Sequence, residues 1–336
     1  MPTCTITMCD HVNLVFSPPI PRRTAGKCSS VSVNDNEIAI VVHQPSAIRQ
    51  EIFCQIGYVN RRKDGINWSE VEVIDKGISP RVAISQNLIV EVHEGRYRRL
   101  IYYNVGILLP ERREIAWKRR QPSIGSGQRP AVAIHENRVV ITYEAEHGYK
   151  TYYRLGEMNA QNGEIIWVNQ EGRRELFTSA VSQVSIALSR DYAVAAGRCP
   201  LYPKLILRIG RFQEGPALNW MAAELTFDYI GFHPAICLDN DRYIVMVRES
   251  FASKKLWCTT GRINDGGGLN LSIDWNPCRN YARGKHPTCA ISSNGGRVLV
   301  EHYDNQLRCY QVGYLLKEER PEQPAGQGGE QQQEDA

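Results

Sequence analysis

Two sets of side chains carry chemistry at a recurring spacing along this 336-residue chain. The first is a polar column, His43, His93, Tyr143, Arg248 and His302, that closes successive apolar stretches. Gln44, Glu94, Glu144 and Glu249 follow its members directly. A histidine beside a glutamate, as at His93-Glu94, is an acid–base pair or half of a metal site. Metal binding needs two or more such groups to converge, and here the members fall in different copies of a repeat. A hydrogen-bonded, structural role is the competing reading of the same column.

The second set places an aromatic ring beside a base: Arg96-Tyr97-Arg98, Tyr149-Lys150, and Tyr202, Phe251 and Tyr303 in equivalent loops. An aromatic face next to a cationic donor holds sugar rings, and it equally builds protein–protein hot spots. One such group per repeat gives several similar weak sites, which favour multivalent binding. The candidate ligand-binding residues are therefore His43, His93, Arg96, Tyr97, Arg98, Tyr143, Tyr149, Lys150, Tyr202, Arg248, Phe251 and Tyr303. No catalytic residue, metal ligand or cofactor is expected from the sequence. There is no Ser-His-Asp spacing or nucleotide fingerprint, and Gly266-Gly267-Gly268 is not followed by Gly-Lys-Ser/Thr.

These side chains are spaced by a repeat whose plainest copy is Pro80-Arg81-Val82-Ala83-Ile84. Its starts fall near Ser29, Pro80, Pro130, Ser182, Pro234 and Pro287. A fixed period of about 50 residues signals a repeat architecture in which no unit buries a core alone. The centre of each apolar triplet is small: Ser32, Ala83, Ala133, Ser185, Cys237 and Ala290. Three more apolar segments follow in each copy, separated by turns such as Asn34-Asp35-Asn36 and Gln161-Asn162-Gly163. They are rich in Val, Ile and Tyr and show no helical period, so each unit reads as a four-stranded antiparallel meander.

Two columns fix the register. The third segment ends on glycine in all six copies, at Gly57, Gly106, Gly156, Gly210, Gly261 and Gly313. The fourth ends on Trp68, Trp117, Trp167, Trp220 or Trp275, rings large enough to wedge between neighbouring sheets. The sixth copy lacks its tryptophan, and Leu14-Val15-Phe16 stands at the right distance before Ser29 to supply the missing strand. The expected fold is all-β: a six-bladed β-propeller over residues 1–316, closed by its N-terminal strand pairing with the C-terminal blade. Residues 317–336 read as a disordered acidic tail carrying six acidic and two basic residues. The formal charge of the whole chain is +4, so the propeller carries about +8.

The run Ile74–Ile84 with Val90-Glu91-Val92-His93, Tyr102–Gly106 and Ile115–Trp117 resembles a tandem propeller repeat of largely uncharacterised, lectin-like proteins. That resemblance implies a fold, not an activity. The chain lacks the Gly-His…Trp-Asp pair of WD40 repeats, the Gly-Gly doublet of kelch units and the Ser-x-Asp-x-Gly-x-x-Trp boxes of sialidases.

Composition adds bounds. No stretch approaches the 18 or so apolar residues of a membrane span. No basic, apolar leader opens the sequence, and no cysteine pair has Cys-x-x-Cys spacing, so a reducing, cytoplasmic setting is expected. Basic residues of the inter-blade connections (Arg22, Arg23, Lys118, Arg119, Arg120, Arg173, Arg174, Arg279, Arg283, Lys285) and of the second-to-third loops fall on one face, although Arg61, Arg62, Lys63, Arg112 and Arg113 fall on the other. A basic face attracts anions. A solvated rim balanced by Glu94, Glu144, Glu171, Glu175 and Glu249 is the competing reading. The leading expectation is a non-catalytic propeller whose partner is a glycan or other anionic ligand. A scaffold for an acidic protein segment comes second and a glycosidase-like hydrolase third; nucleic acid is not an expected partner.

Overall fold

The computed structural model describes residues 12–317, apart from short stretches at 23–26, 46–49, 61, 63–64, 98, 119–120, 169–171, 203, 215–216, 228–230, 252, 268–269, 295 and 305–306. The expected tail beyond residue 317 lies outside the described residues. Six small antiparallel sheets form a ring, a six-bladed β-propeller. Blade 2 shows the pattern, with strands Ile78–Ser85, Leu88–Glu94, Leu100–Leu109 and Glu114–Lys118 running from the axis outward. Blades 1, 3, 4 and 5 begin at Lys27–Val33, Gln128–His135, Ser182–Leu188 and Gly231–Leu238. Blade 6 takes Lys285–Ile291, Val298–Asp304 and Leu307–Lys317 from the end of the chain and Val12–Phe16 from its beginning. Phe16 pairs with Gly313 and Val12 with Lys317, so the ring closes as expected.

The glycine and aromatic columns are register partners in every blade: Gly57 with Trp68, Gly106 with Trp117, Gly156 with Trp167, Gly210 with Trp220, Gly261 with Trp275 and Gly313 with Phe16. Each aromatic ring lies across its glycine. A Cβ on Gly156 would stand 2.6 Å from Ile165 and 2.9 Å from the Trp167 ring. Packed flat on its own blade, the indole turns an edge to the blade before it. Trp167 meets Tyr103, and Trp220 meets Tyr153, edge-on at 5.7 Å, while Trp68 meets Tyr310 at 5.8 Å. Each of the six apolar clusters lies between two blades and contains one member of the aromatic column.

Two expectations need correction. The fourth repeat begins two residues later than expected. Pairing of Ser182 with Arg198 and Ser185 with Ala196 places Val184, not Ser182, in the proline column, and Ala187 becomes the small axial residue. A slip of two keeps the same side chains facing the same way, so the hydrophobic pattern could not reveal it. The outer strand, in addition, does not stop at its tryptophan. It breaks for a few residues and then pairs again with the same third strand, as Ile66–Trp68 and Glu72–Lys76 do in blade 1.

A polar residue two before the column glycine fills that break. Gln55 Nε2 donates to Ser69 O, Arg208 Nε to Met221 O and Gln311 Nε2 to Ser17 O, each at 2.9 Å; Thr259 Oγ1 donates to Asn276 O at 2.6 Å. Each accepting carbonyl belongs to the residue just after the aromatic. Several basic residues assigned to inter-blade connections therefore lie in outer strands, among them Arg174, Arg279 and Arg283. Arg22 is buried, with its guanidinium 3.8 Å above the Trp68 ring and an ion pair to Glu301. Arg23, Arg119 and Arg120 lie outside the described residues.

Replacing Gly156 by alanine should destabilise the protein by about 1–3 kcal/mol, the range for an overfilled core. Trp167→Leu in the same chain should recover part of that loss, because the two changes share one contact. Urea unfolding of the double-mutant cycle checks this; purely additive losses would contradict the direct ring-on-glycine contact.

Candidate functional site

Every inner strand opens with an irregularity in its pairing to the second strand. In blade 2, Ile78 pairs with Glu94, but the next pair is Arg81 with Val92. The residue at this bulge has a left-handed backbone in all six blades: Cys28 (φ 52), Ser79 (φ 54), Arg129 (φ 48), Gln183 (φ 54), His233 (φ 48) and His286 (φ 49). A bulge re-aims its side chain, and here all six line one cavity of about 210 Å³ around the ring axis. The mouth of the propeller is therefore a hexagon of mostly polar side chains, one from each blade.

The glutamates that close the second strands hold this hexagon in place. Glu94 Oε2 accepts the Arg129 N–H at 3.2 Å, Glu144 Oε1 the Gln183 N–H at 2.6 Å, and Glu249 Oε2 the His286 N–H at 3.1 Å. In each case a carboxylate of one blade fixes the bulge of the next. Gln183 continues the chain of contacts by accepting the His233 N–H at 3.0 Å. Arg129 also returns an ion pair to Glu144 at 2.9 Å. Burial raises the carboxyls of Glu94 and Glu144 above the ordinary range, against the pull of these donors. One layer deeper, hydroxyls join the inner strands around the axis. Ser30 Oγ accepts the Val82 N–H, Ser185 Oγ the Ile236 N–H and Thr288 Oγ1 the Val31 N–H, at 3.1–3.2 Å.

The charged side chains that line the cavity are basic. Arg81 and Arg129 line it. Burial lowers His233 to about 3, and His286, Arg81, Arg129 and Arg198 push the same way. Burial also lowers His286, with Arg81 and Lys285 adding to the effect and Glu249 opposing it. Both imidazoles are neutral at pH 7, so the charged groups lining the cavity are the guanidinium groups, with the Glu144 carboxylate paired to Arg129 behind them.

The expected ligand-binding residues divide into two groups. His43, His93, Tyr143 and Arg248 do not face the mouth; they are buried between blades. His93 packs beneath Gly77, Tyr143 beneath Gly127 and Arg248 beneath Gly231, each on the stretch that leads into its own blade. His43 stacks on Phe53 at 5.6 Å, His93 Nδ1 sits 3.1 Å from Glu91, Tyr143 packs on Tyr152, and Arg248 reaches the Cys278 sulfur at 3.4 Å. The alternation of a buried strand continues to its last residue, so a polar type at that position tucks into the wall. Tyr303 is half-buried beside His286, and burial raises its phenol.

Exposed loop residues form the second group. Tyr97 is 69% exposed with Arg96 over its ring at 5.0 Å; Tyr202 is 64% exposed, Phe251 65% and Tyr149 51%. Lys150 is exposed and pairs with Glu175 at 3.4 Å. Arg98 lies outside the described residues. These rings sit at the ends of the second strands, on the face where the cavity opens, but they do not line it. The sequence reading missed Cys28, Ser79, Arg129, Gln183, His233 and His286. The available signal was the polar residue just before the repeat's proline, present as Ser-Pro, Arg-Pro and twice as His-Pro.

The chain matches no family model and no curated protein. Among solved structures it is similar to a protein of unknown function from Dyadobacter fermentans, at TM-score 0.58 and 13% identity, covering 92% of this chain and 100% of that one. A subtype N10 neuraminidase-like protein of a little yellow-shouldered bat isolate from Guatemala aligns at TM-score 0.55 and 14% identity, covering 92% and 100%. Penicillium chrysogenum alpha-L-arabinanase complexed with arabinobiose aligns at 0.52 and 9%, covering 91% and 98%. Likeness at these identities establishes the propeller fold alone.

Buried neutral histidines make stability depend on pH. Burial holds His43 near 2, His233 near 3 and His302 near 4, against an unfolded value of 6.5. Between those values the unfolded chain binds more protons, so stability is full above pH 6.5 and falls as the pH drops toward 4. Each histidine contributes up to about 1.4 kcal/mol per pH unit in that window. Urea midpoints measured from pH 7 to pH 4 should show the decline, and His43→Gln should make it shallower. A flat profile would contradict the burial of these rings.

Proposed function

We propose that this chain is a non-catalytic binding propeller that holds the terminal residue of an anionic glycan in its axial mouth. The observation that carries the reading is the hexagon of bulge residues around a cavity lined by Arg81 and Arg129. Its volume of about 210 Å³ lies below the roughly 300–1,000 Å³ of drug-sized sites, which suits one sugar ring or a small acidic end group. Arg129 and Arg81 supply charge for a carboxylate or sulfate, while Ser79, Gln183, His233 and His286 supply neutral donors and acceptors for hydroxyls. Hydrolysis of glycosides commonly needs two carboxyl groups flanking the bond. Among the described residues no Asp or Glu lines the cavity, and the nearby glutamates are engaged by backbone N–H groups. The likeness to an arabinanase solved with arabinobiose supports sugar as the ligand class at the level of fold.

A second reading, a scaffold for an acidic protein segment, draws on a different observation. Tyr97, Tyr149, Tyr202 and Phe251 present exposed rings from four successive blades on the cavity face, an arrangement suited to interface anchors. The two readings use different residues and so come apart by mutation. A glycan array followed by titration calorimetry with the free acidic sugar should detect binding that weakens from low to high salt. Arg129→Gln should reduce the affinity about tenfold or more. Tyr97→Ala with Tyr202→Ala should leave sugar binding intact. A blank array for acidic and neutral glycans alike, or full affinity in Arg129→Gln, would remove the glycan reading. Loss of an acidic polypeptide's binding in the tyrosine variant would favour the scaffold.

A further inference from the structure

Three ligand-bearing side chains converge at one corner of the mouth. His233 opens blade 5, Glu249 lies in the second strand of that blade, and His286 opens blade 6. One ligand atom from each lies within 4.8 Å of the other two, the single group of this kind among the described residues. We propose that His233, His286 and Glu249 bind one divalent transition-metal cation at the rim of the cavity, bridging blade 5 to blade 6.

The local structure prepares these groups for that role. Their backbones are fixed at equivalent bulges, with φ of 48 and 49 at the two histidines, and the imidazole centroids stand 4.1 Å apart. Glu249 uses Oε2 to accept the His286 N–H, which orients its carboxylate, and Gln183 fixes the His233 N–H. Anchoring of this kind is what second-shell contacts give a metal site. Both imidazoles are uncharged at neutral pH, the form that ligates. Four-coordinate zinc with bonds near 2.0–2.1 Å needs ligand atoms roughly 3.3 Å apart, so side-chain rotation has at most about 1.5 Å to close.

The donor set selects the ion. Two imidazoles and one carboxylate suit zinc, cobalt or nickel, and three protein ligands leave a position for water or a ligand oxygen. Calcium and magnesium prefer shells of oxygen, and one carboxylate beside Arg81, Arg129 and Lys285 does not supply one. A cation here would add a Lewis-acidic contact at the edge of the arginine-lined cavity. The assignment does not depend on the glycan reading, because the metal alone is the probe.

The test uses the full chain after chelator treatment, titrated with Zn²⁺ by calorimetry and with Co²⁺ by visible absorption. One equivalent should bind, and cobalt should give the d–d bands of a low-coordinate nitrogen and oxygen site. His286→Ala and His233→Ala should each weaken binding about tenfold or more, while Cys28→Ser, at the same ring, should not change it. Should a histidine variant lose its native circular dichroism, Glu249→Gln decides, since its amide oxygen can still accept the His286 N–H. There the cobalt spectrum should change and the affinity fall. No binding by the wild-type chain, an unchanged spectrum in Glu249→Gln, full affinity in a folded His286→Ala, or loss of binding in Cys28→Ser would each overturn the assignment.

Discussion

The ring depends on one cross-strand contact repeated six times: an aromatic side chain lying flat on the glycine opposite. The missing Cβ lets the ring drop onto its own sheet, and the ring's outer edge then meets the neighbouring blade. A side chain in place of the glycine would lift the indole and force adjacent sheets apart. Because every inter-blade cluster includes one such ring, the angle between blades is set by the same contact throughout. Six equal angles are what allow the first strand and the last to meet.

From that geometry the mouth follows. Inner strands crowd the axis, where small residues such as Ala83 and Ala133 leave room for their neighbours, and hydroxyls tie one strand to the next. At the upper end each strand bulges, and in blades 3, 4 and 6 a carboxylate from the preceding blade takes the freed N–H. The bulge is thus a device of assembly and of display. It locks successive blades and turns one side chain per blade toward the axis. Blades 2, 3, 5 and 6 place Ser79, Arg129, His233 and His286 there, so a repetitive scaffold presents a site without rotational symmetry.

The sequence revealed the scaffold far better than the site, for a physical reason. Glycine and tryptophan at a fixed offset are rare, bulky signals of packing, and they set blade number, register and closure. Strand-end polar types such as His43, His93 and Arg248 were equally visible, yet burial between blades gives them a wall position that residue type cannot disclose. His233 and His286 escaped notice because their column also holds Cys28 and Gln183, and because only the bulge turns it inward. The two-residue slip in blade 4 hid the fourth member of that column as well. Outer-strand arginines were misplaced since the break after each tryptophan looks like a loop until Gln55, Arg208 or Gln311 is seen to fill it.

Val12 and Lys317 stand opposite each other across the seam of blade 6. Antiparallel partners are only about 5 Å apart, a gap that a few flexible residues could span. Cut in any surface turn and rejoined at this seam, the polypeptide would keep every strand neighbour it has now. The strand pairings that hold the wheel together are the same wherever the break in the chain is put.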